Sequence, residues 1–282
     1  MRSWQLLLLA VLPLQLAKMG SAAEQGDAWY CETQSDRRTS VEWIETELGP
    51  QKVVAVATKE KIESPTLVVF LHADSPFGDP IYQYDIAKSI ARSKPDIVAA
   101  AVLRPGYADD CGHQSGGEVG HKMGDNYTDA VVSSVATSIR ELMRRTEPKK
   151  IIVMGHSGGA ALAALLASRY PEIADRTILV ACPCDLTAWR ESMARLTDNS
   201  RWLTSMPGLS PIDHVDRLDS EKKIDLWVGD ADVVTPPFLS KAYAEKARSA
   251  GKKGSLQVVP DGDHDMILDP DTLNSILTTV FD

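Results

Sequence analysis

Apolar and polar positions alternate through "TSVEWIETELGPQKVVAVATK" on either side of Gly49-Pro50, a pattern that predicts an antiparallel hairpin. Beyond Thr66 the rhythm changes. Short apolar runs occupy Leu67 to Leu71, Ile97 to Leu103, Ile151 to Met154, Thr177 to Ala181, Ile224 to Val228 and Leu256 to Val259. Such runs, apolar at every position, predict strands buried on both faces, as in parallel sheets. Stretches with helical spacing alternate with them at Ile81 to Arg92, Tyr127 to Arg145, Gly158 to Arg169, Phe238 to Ser249 and Asp271 to Val280. Strand and helix in alternation imply right-handed crossovers, so the predicted class is α/β, a mostly parallel doubly wound sheet. Thr235 precedes two prolines and is expected to cap the helix from Phe238.

Two segments depart from this alternation. Arg104 to Asn126, "RPGYADDCGHQSGGEVGHKMGDN", is long, glycine-rich and follows a strand, as functional or mobile loops do. Residues 185–223 form an insertion in which Leu186, Trp189, Met193 and Leu196 fall at helical spacing. They predict a helix that either packs into the core or forms a small helical lid with its apolar face on a substrate cleft.

The chemistry begins at "KKIIVMGHSGGAALAALLASRY", Lys149 to Tyr170. A buried strand ends at Met154, Gly155-His156-Ser157-Gly158-Gly159 follows, and a small-residue helix starts at once. A strand feeding straight into a helix must turn sharply; the glycines permit the turn and put Ser157 at its apex, as in the nucleophile elbow. Acyl transfer by serine then needs a base, a carboxylate to orient the base, and backbone donors for the oxyanion. In a parallel sheet these groups lie at the carboxyl ends of strands. "GDADVVTPP" follows the strand ending at Val228 and offers Asp230 and Asp232; "PDGDHDMILDP" follows the strand ending at Val259 and offers His264. The resulting order, Ser157, Asp232, His264, is that of nucleophile, acid and histidine in α/β-hydrolases.

With "GHSGG", "GDAD" and Gly262 shortly before His264, the chain from about Thr66 onward resembles the α/β-hydrolase superfamily. The resemblance implies that fold, a catalytic triad of Ser157, Asp232 and His264, and Asp232 rather than Asp230 as the acid. It also implies an oxyanion site built from the amides of Asp74 and Gly158, with no metal and no cofactor. "SPIDHVDRL", Ser210 to Leu218, is similar to the segment before the acid-bearing strand in prolyl-oligopeptidase-like and dienelactone-hydrolase-like members. One departure stands out. Where members carry His-Gly-x, this chain reads His72-Ala73-Asp74, which places a carboxylate beside a developing negative charge. His72 and His156 are expected to brace backbone, and Arg104 and Tyr107, after a strand end, either to brace the loop or to face the cleft.

The N-terminal "MRSWQLLLLAVLPLQLAKMGSAA" joins a basic residue, an apolar core and small residues at Ser21 and Ala23. It is expected to be a signal peptide over 1–23, leaving one domain over 24–282 that is secreted, periplasmic or extracellular, without stable membrane insertion. The formal charge of −9 becomes more negative on cleavage, because Arg2 and Lys18 leave and no acid does. So acidic a chain argues against a nucleic-acid partner. Four cysteines, Cys31, Cys111, Cys182 and Cys184, fit disulfides in an exported protein, with three pairings open and Cys182-Pro183-Cys184 expected not to close on itself. Asn126-Tyr127-Thr128 is a glycosylation sequon only in a host that modifies exported proteins. The expected function is a secreted carboxylic-ester hydrolase acting on a small-molecule or short-peptide acyl substrate. The alternatives are a prolyl-oligopeptidase-like peptidase or acyl-aminopeptidase, and a catalytically weak ligand-binding member of the same fold.

Overall fold

The structure is a computed structural model that describes residues 28–75 and 78–281. The expected signal peptide over 1–23 lies outside the described residues. Strands β1 (Thr39–Ile44) and β2 (Gln51–Ala57) form the expected antiparallel hairpin. Six more follow: β3 (Thr66–Leu71), β4 (Ile97–Val102), β5 (Lys150–His156), β6 (Arg176–Val180), β7 (Lys223–Gly229) and β8 (Lys253–Val259). The helices are α1 (Tyr82–Ser93), α2 (Asp129–Thr146), α3 (Gly158–Arg169), α4 (Leu186–Thr197), α5 (Pro237–Ser249) and α6 (Pro270–Phe281). The eight strands form one sheet in the order β1-β2-β4-β3-β5-β6-β7-β8, antiparallel at the β1/β2 and β2/β4 pairings and parallel at the other five.

Burial on both faces explains why the central strands lack alternation. On β3, Leu67, Val69 and Leu71 enter one core with Val132, Leu162, Trp189 and Tyr243, from α2, α3, α4 and α5. Val68 and Phe70 point the other way, into a core with Tyr84 and Ile90 of α1 and Ile276 of α6. Each side chain of that strand therefore leaves water, at roughly 2 kcal/mol per fully buried aliphatic residue. Among the described residues no helix is long and apolar enough to cross a membrane.

The long segment after β4 is pinned. Its Ser115 hydroxyl donates to the Leu103 carbonyl at 2.6 Å, and the Gly116 amide donates to the Pro50 carbonyl at 2.8 Å. Beneath it, Lys52 Nζ lies 2.5 Å from Asp109 Oδ2 with both side chains wholly buried, and Tyr84 donates its hydroxyl to the same oxygen. The ammonium also sits 5.0 Å from the Tyr84 ring centre. Cys31 is bonded to Cys111, which ties the N-terminal segment to this loop.

One expectation is corrected. Cys182 and Cys184 do bond to each other. Their Cα atoms lie 5.1 Å apart across Pro183, within the range a disulfide spans. Asn126 is only 5% exposed, so its sequon is folded into the protein rather than presented on a surface loop.

Removing one member of a buried ion pair leaves the other charge unmatched. Lys52→Met is therefore expected to lower unfolding free energy by about 3–5 kcal/mol, read from the urea midpoint of the oxidised protein.

Candidate active site

The site is assembled at the carboxyl ends of β3, β5, β7 and β8. At the end of β5, Ser157 adopts φ 53° and ψ −119°. A residue with a Cβ costs roughly 1–3 kcal/mol in such a region, and the surroundings hold it there. The Ser157 amide donates to the Val180 carbonyl at 2.8 Å, while its carbonyl accepts from the amides of Ala160 and Ala161 and so starts α3. The neighbouring glycines let the turn close, since a Cβ on Gly155 would strike the Gly159 carbonyl and one on Gly159 the Leu71 carbonyl. Ser157 makes no side-chain cap, which leaves its hydroxyl for His264.

The structure brings the three expected residues together. Ser157 Oγ lies 3.0 Å from His264 Nε2, and His264 Nδ1 lies 3.0 Å from Asp232 Oδ2. With Asp232 ionised, Nδ1–H donates to it and the Nε2 lone pair faces the serine proton, the arrangement of a base ready to accept. Burial alone would lower the pKa of His264; the Asp232 hydrogen bond and charge, with Asp265 and Asp263, outweigh it and raise the pKa above the usual 6.5. For Asp232, burial raises the pKa, but the His264 bond and charge and the Thr235 donors hold it below the ordinary value.

The loops carrying acid and histidine are zipped together. The Asp230 amide donates to the Val259 carbonyl and the Ala231 amide to the Gly262 carbonyl, each at 3.0 Å. Asp230 Oδ1 accepts from the Asp261 amide at 2.7 Å. Asp230 thus ties the two loops, and Asp232 is the carboxylate that meets the imidazole.

Sequence reasoning missed the role of Thr235. It does not cap α5, whose N-cap is Pro236. Its Oγ1, wholly buried, lies 2.6 Å from Asp232 Oδ2, 3.0 Å from the Ala181 carbonyl and 3.2 Å from His264 Nδ1. The Val234 and Thr235 amides donate to Asp232 Oδ1 at 2.9 and 2.8 Å. The threonine therefore belongs to the carboxylate. The available signal was its position three residues after an aspartate, where a turn closes on the side chain.

His156 and His72 brace backbone. His156 Nε2–H donates to the His264 carbonyl at 2.9 Å, and its Nδ1 accepts the Tyr82 hydroxyl at 2.8 Å. Tyr82 in turn accepts from the Ala73 amide at 2.7 Å, so one chain of hydrogen bonds spans from the β3 loop to the His264 loop. Burial, then the charge of His264, pushes the His156 pKa down to about 4, keeping the bracket neutral. His72 Nε2 accepts from the Arg104 amide at 3.0 Å, and its Nδ1–H donates to the Ala73 carbonyl at 2.7 Å.

Asp74 and Gly158 face each other. A Cβ built on Gly158 would overlap Asp74 Oδ1 and Tyr127 Oη. Among the described residues, neither the Asp74 amide nor the Gly158 amide donates to a protein acceptor. The Asp74 carboxylate is held: Arg104 Nη2 lies 2.8 Å from Oδ1, Tyr107 donates to Oδ1 at 3.0 Å, and Tyr127 donates to Oδ2 at 2.6 Å. Arg104 is therefore buried as a brace and does not face the cleft.

Helix α4 buries Leu186, Trp189 and Met193 in the core while Leu196 stays exposed. Trp189 Nε1 donates to the Val234 carbonyl at 2.9 Å, which places the insertion against the loop carrying Asp232. The donors of Asp109, Cys111 and His113 cluster within 4.8 Å. Cys111 Sγ is spent on Cys31 and Asp109 on Lys52, so two of the three donors are already committed.

The family model described as serine aminopeptidase S33 matches residues 106–211, a stretch that includes Ser157 and ends before Asp232 and His264. No curated protein sequence matches the chain. Among solved structures it is similar to an acylaminoacyl peptidase of Pyrococcus horikoshii, at 13% identity and TM-score 0.67 over 86% of this chain and 40% of that one. It is similar to a Mycobacterium tuberculosis puromycin-hydrolyzing peptidase at 17% identity and TM-score 0.67, over 86% of this chain and 38% of that one. An esterase of Pyrococcus furiosus aligns at 14% identity and TM-score 0.64, over 86% of this chain and 90% of the esterase. The chain thus spans about two fifths of the length of the two peptidases.

Gly158→Ala tests the crowding around the expected oxyanion site. The added methyl must displace Asp74 or Tyr127, so kcat on a p-nitrophenyl ester is expected to fall about a hundredfold or more, with a smaller change in KM.

Proposed function

We propose that this chain, a serine hydrolase of the α/β-hydrolase superfamily, cleaves carboxylic esters of small or medium acyl groups through an acyl-enzyme on Ser157. The observation that carries this reading is the hydrogen-bonded line from Ser157 Oγ through His264 to Asp232 at a strained elbow. Ser157 Oγ attacks the acyl carbonyl while its proton passes to His264 Nε2, and Asp232 stabilises the imidazolium. The amides of Asp74 and Gly158 receive the oxyanion. His264 then hands the proton to the departing alkoxide, and the alcohol leaves. Water adds to the acyl-enzyme by the reverse proton path, giving the free acid and restoring Ser157.

The likenesses support ester and amide hydrolysis alike: the esterase is matched over 90% of its length and the two peptidases over 40% and 38% of theirs. A second reading, hydrolysis of a short-peptide amide, draws on the serine aminopeptidase match over residues 106–211. The same machinery serves both bonds. We further propose that the insertion over 185–223, resting through Trp189 on the Val234 carbonyl, shapes one wall of the acyl cleft. We propose as well that the protein works in an oxidising compartment outside the cytoplasm, which its disulfides Cys31–Cys111 and Cys182–Cys184 suit.

Labelling with a fluorophosphonate is expected to modify Ser157 and to be abolished in Ser157→Ala; a folded protein that takes no label at Ser157 overturns the hydrolase reading. p-Nitrophenyl butyrate turnover exceeding that of an aminoacyl-p-nitroanilide supports the ester assignment, and the opposite order replaces it with the amide.

The pH profile identifies the base. Imidazolium cannot accept the serine proton, so kcat/KM is expected to fall as pH drops through a midpoint above 6.5, set by the raised pKa of His264. His156, with its pKa near 4, contributes no step in that range. A profile flat from pH 8 to pH 5 with a substrate that does not titrate would remove His264 from the mechanism.

A further inference from the structure

Asp74 carries two opposed properties. Among the described residues its amide has no protein acceptor, while its carboxylate lies so close to Gly158 that a single methyl there would strike Oδ1. A bare carboxylate at that place would repel the negative charge that develops on the substrate oxygen. It is not bare. Arg104 Nη2 stands 2.8 Å from Oδ1, the guanidinium has no exposed surface, and the Asp74 side chain keeps only 10% of its own. Tyr107 and Tyr127 add hydroxyl donors to the two oxygens.

Arg104 is itself fixed from both ends. Its amide donates to His72 Nε2 and its Nη1 to the His72 carbonyl at 2.9 Å, in the residue pair just before Asp74. The guanidinium carbon lies 5.0 Å from the Tyr107 ring centre and 5.9 Å from that of Tyr127. The planar guanidinium hydrogen-bonds the His72 carbonyl through Nη1 and sets Nη2 in ion-pair range of Asp74, so it holds that carboxylate by charge rather than by an aligned hydrogen bond. Burial works against its charge, but Tyr107, Asp74 and Tyr127 outweigh it and raise the pKa, so the guanidinium stays protonated.

We infer that Arg104 is a positioning residue for the oxyanion site: it cancels the Asp74 carboxylate beside that site and aims the Asp74 amide, replacing the glycine expected at Ala73. This rests on the hydrolase reading above, in which that amide receives the oxyanion. The substrate is untouched by Arg104, which acts through Asp74. Charge is the decisive feature, so a neutral pair at these two positions should work better than an unpaired carboxylate.

The test compares wild type, Arg104→Gln, Arg104→Lys and the double variant Arg104→Gln/Asp74→Asn. Each is measured for Ser157 phosphonylation by a fluorophosphonate, for kcat and KM on p-nitrophenyl butyrate, and for folding by circular dichroism. Arg104→Gln is expected to lose about a hundredfold in kcat with KM changed less than about threefold, because the interaction matters most once the oxyanion forms. Arg104→Lys, which keeps the charge, should recover at least about tenfold of that loss, and the double variant should also exceed Arg104→Gln by about tenfold or more. A brace with no electrostatic role gives the reverse, a double variant no faster than Arg104→Gln, and that result overturns the inference. So does a folded Arg104→Gln within about threefold of wild-type kcat. Should Arg104→Gln fail to fold, the double variant decides, since it buries no unpaired charge: turnover within about a hundredfold of wild type supports the inference and a folded, inert protein overturns it. An unreactive wild type overturns both this inference and the hydrolase reading, whereas a reactive wild type without charge rescue overturns this one alone.

Discussion

The backbone of Ser157, held at φ 53° between a strand and a helix, is the constraint on which the remaining geometry depends. That conformation is unfavourable for a residue with a Cβ and survives only because neighbours enforce it. The Val180 carbonyl takes its amide, α3 takes its carbonyl, and Gly155 and Gly159 permit contacts that no larger residue would allow. Strand pairing therefore sets where the hydroxyl stands. β5 lies between β3 and β6, so the loops after those strands surround the serine from both sides.

Each partner of Ser157 is fixed by polar contacts of its own loop. The Asp232 carboxylate accepts two backbone amides and the Thr235 hydroxyl besides the imidazole, which holds it ionised in spite of burial. His264 is located by its own carbonyl, gripped by His156, whose other nitrogen is tied through Tyr82 to the Ala73 amide. Serine, acid, histidine and oxyanion loop thus form one connected set of hydrogen bonds rather than four independent placements. Such connected networks are rigid when every donor is matched, and a gap in one loop is felt in the next.

Much of the architecture was legible along the chain. Runs of apolar residues without alternation marked the parallel strands, because both faces of that sheet are covered. The elbow was legible because a sharp strand-to-helix turn demands glycine at particular steps, and strand ends pointed to the loops holding Asp232 and His264. Other features were not. Thr235 looked like a helix cap because local spacing cannot show that the Ala181 carbonyl and the Asp232 carboxylate stand nearer its hydroxyl. Cys182-Pro183-Cys184 was expected not to close on itself because residue type does not show how near the backbone brings the two Cα atoms, here 5.1 Å.

The sequence by itself determined the order of strands and helices, the turn at Ser157 and the loops that hold its partners, since these follow from periodicity and from the local sterics of glycine and proline. Only the tertiary structure decided which carboxylate meets the imidazole, what neutralises Asp74 and how the cysteines pair. Those outcomes depend on atoms that the folded backbone brings to contact distance, where hydrogen bonds form and charge pairing is strongest.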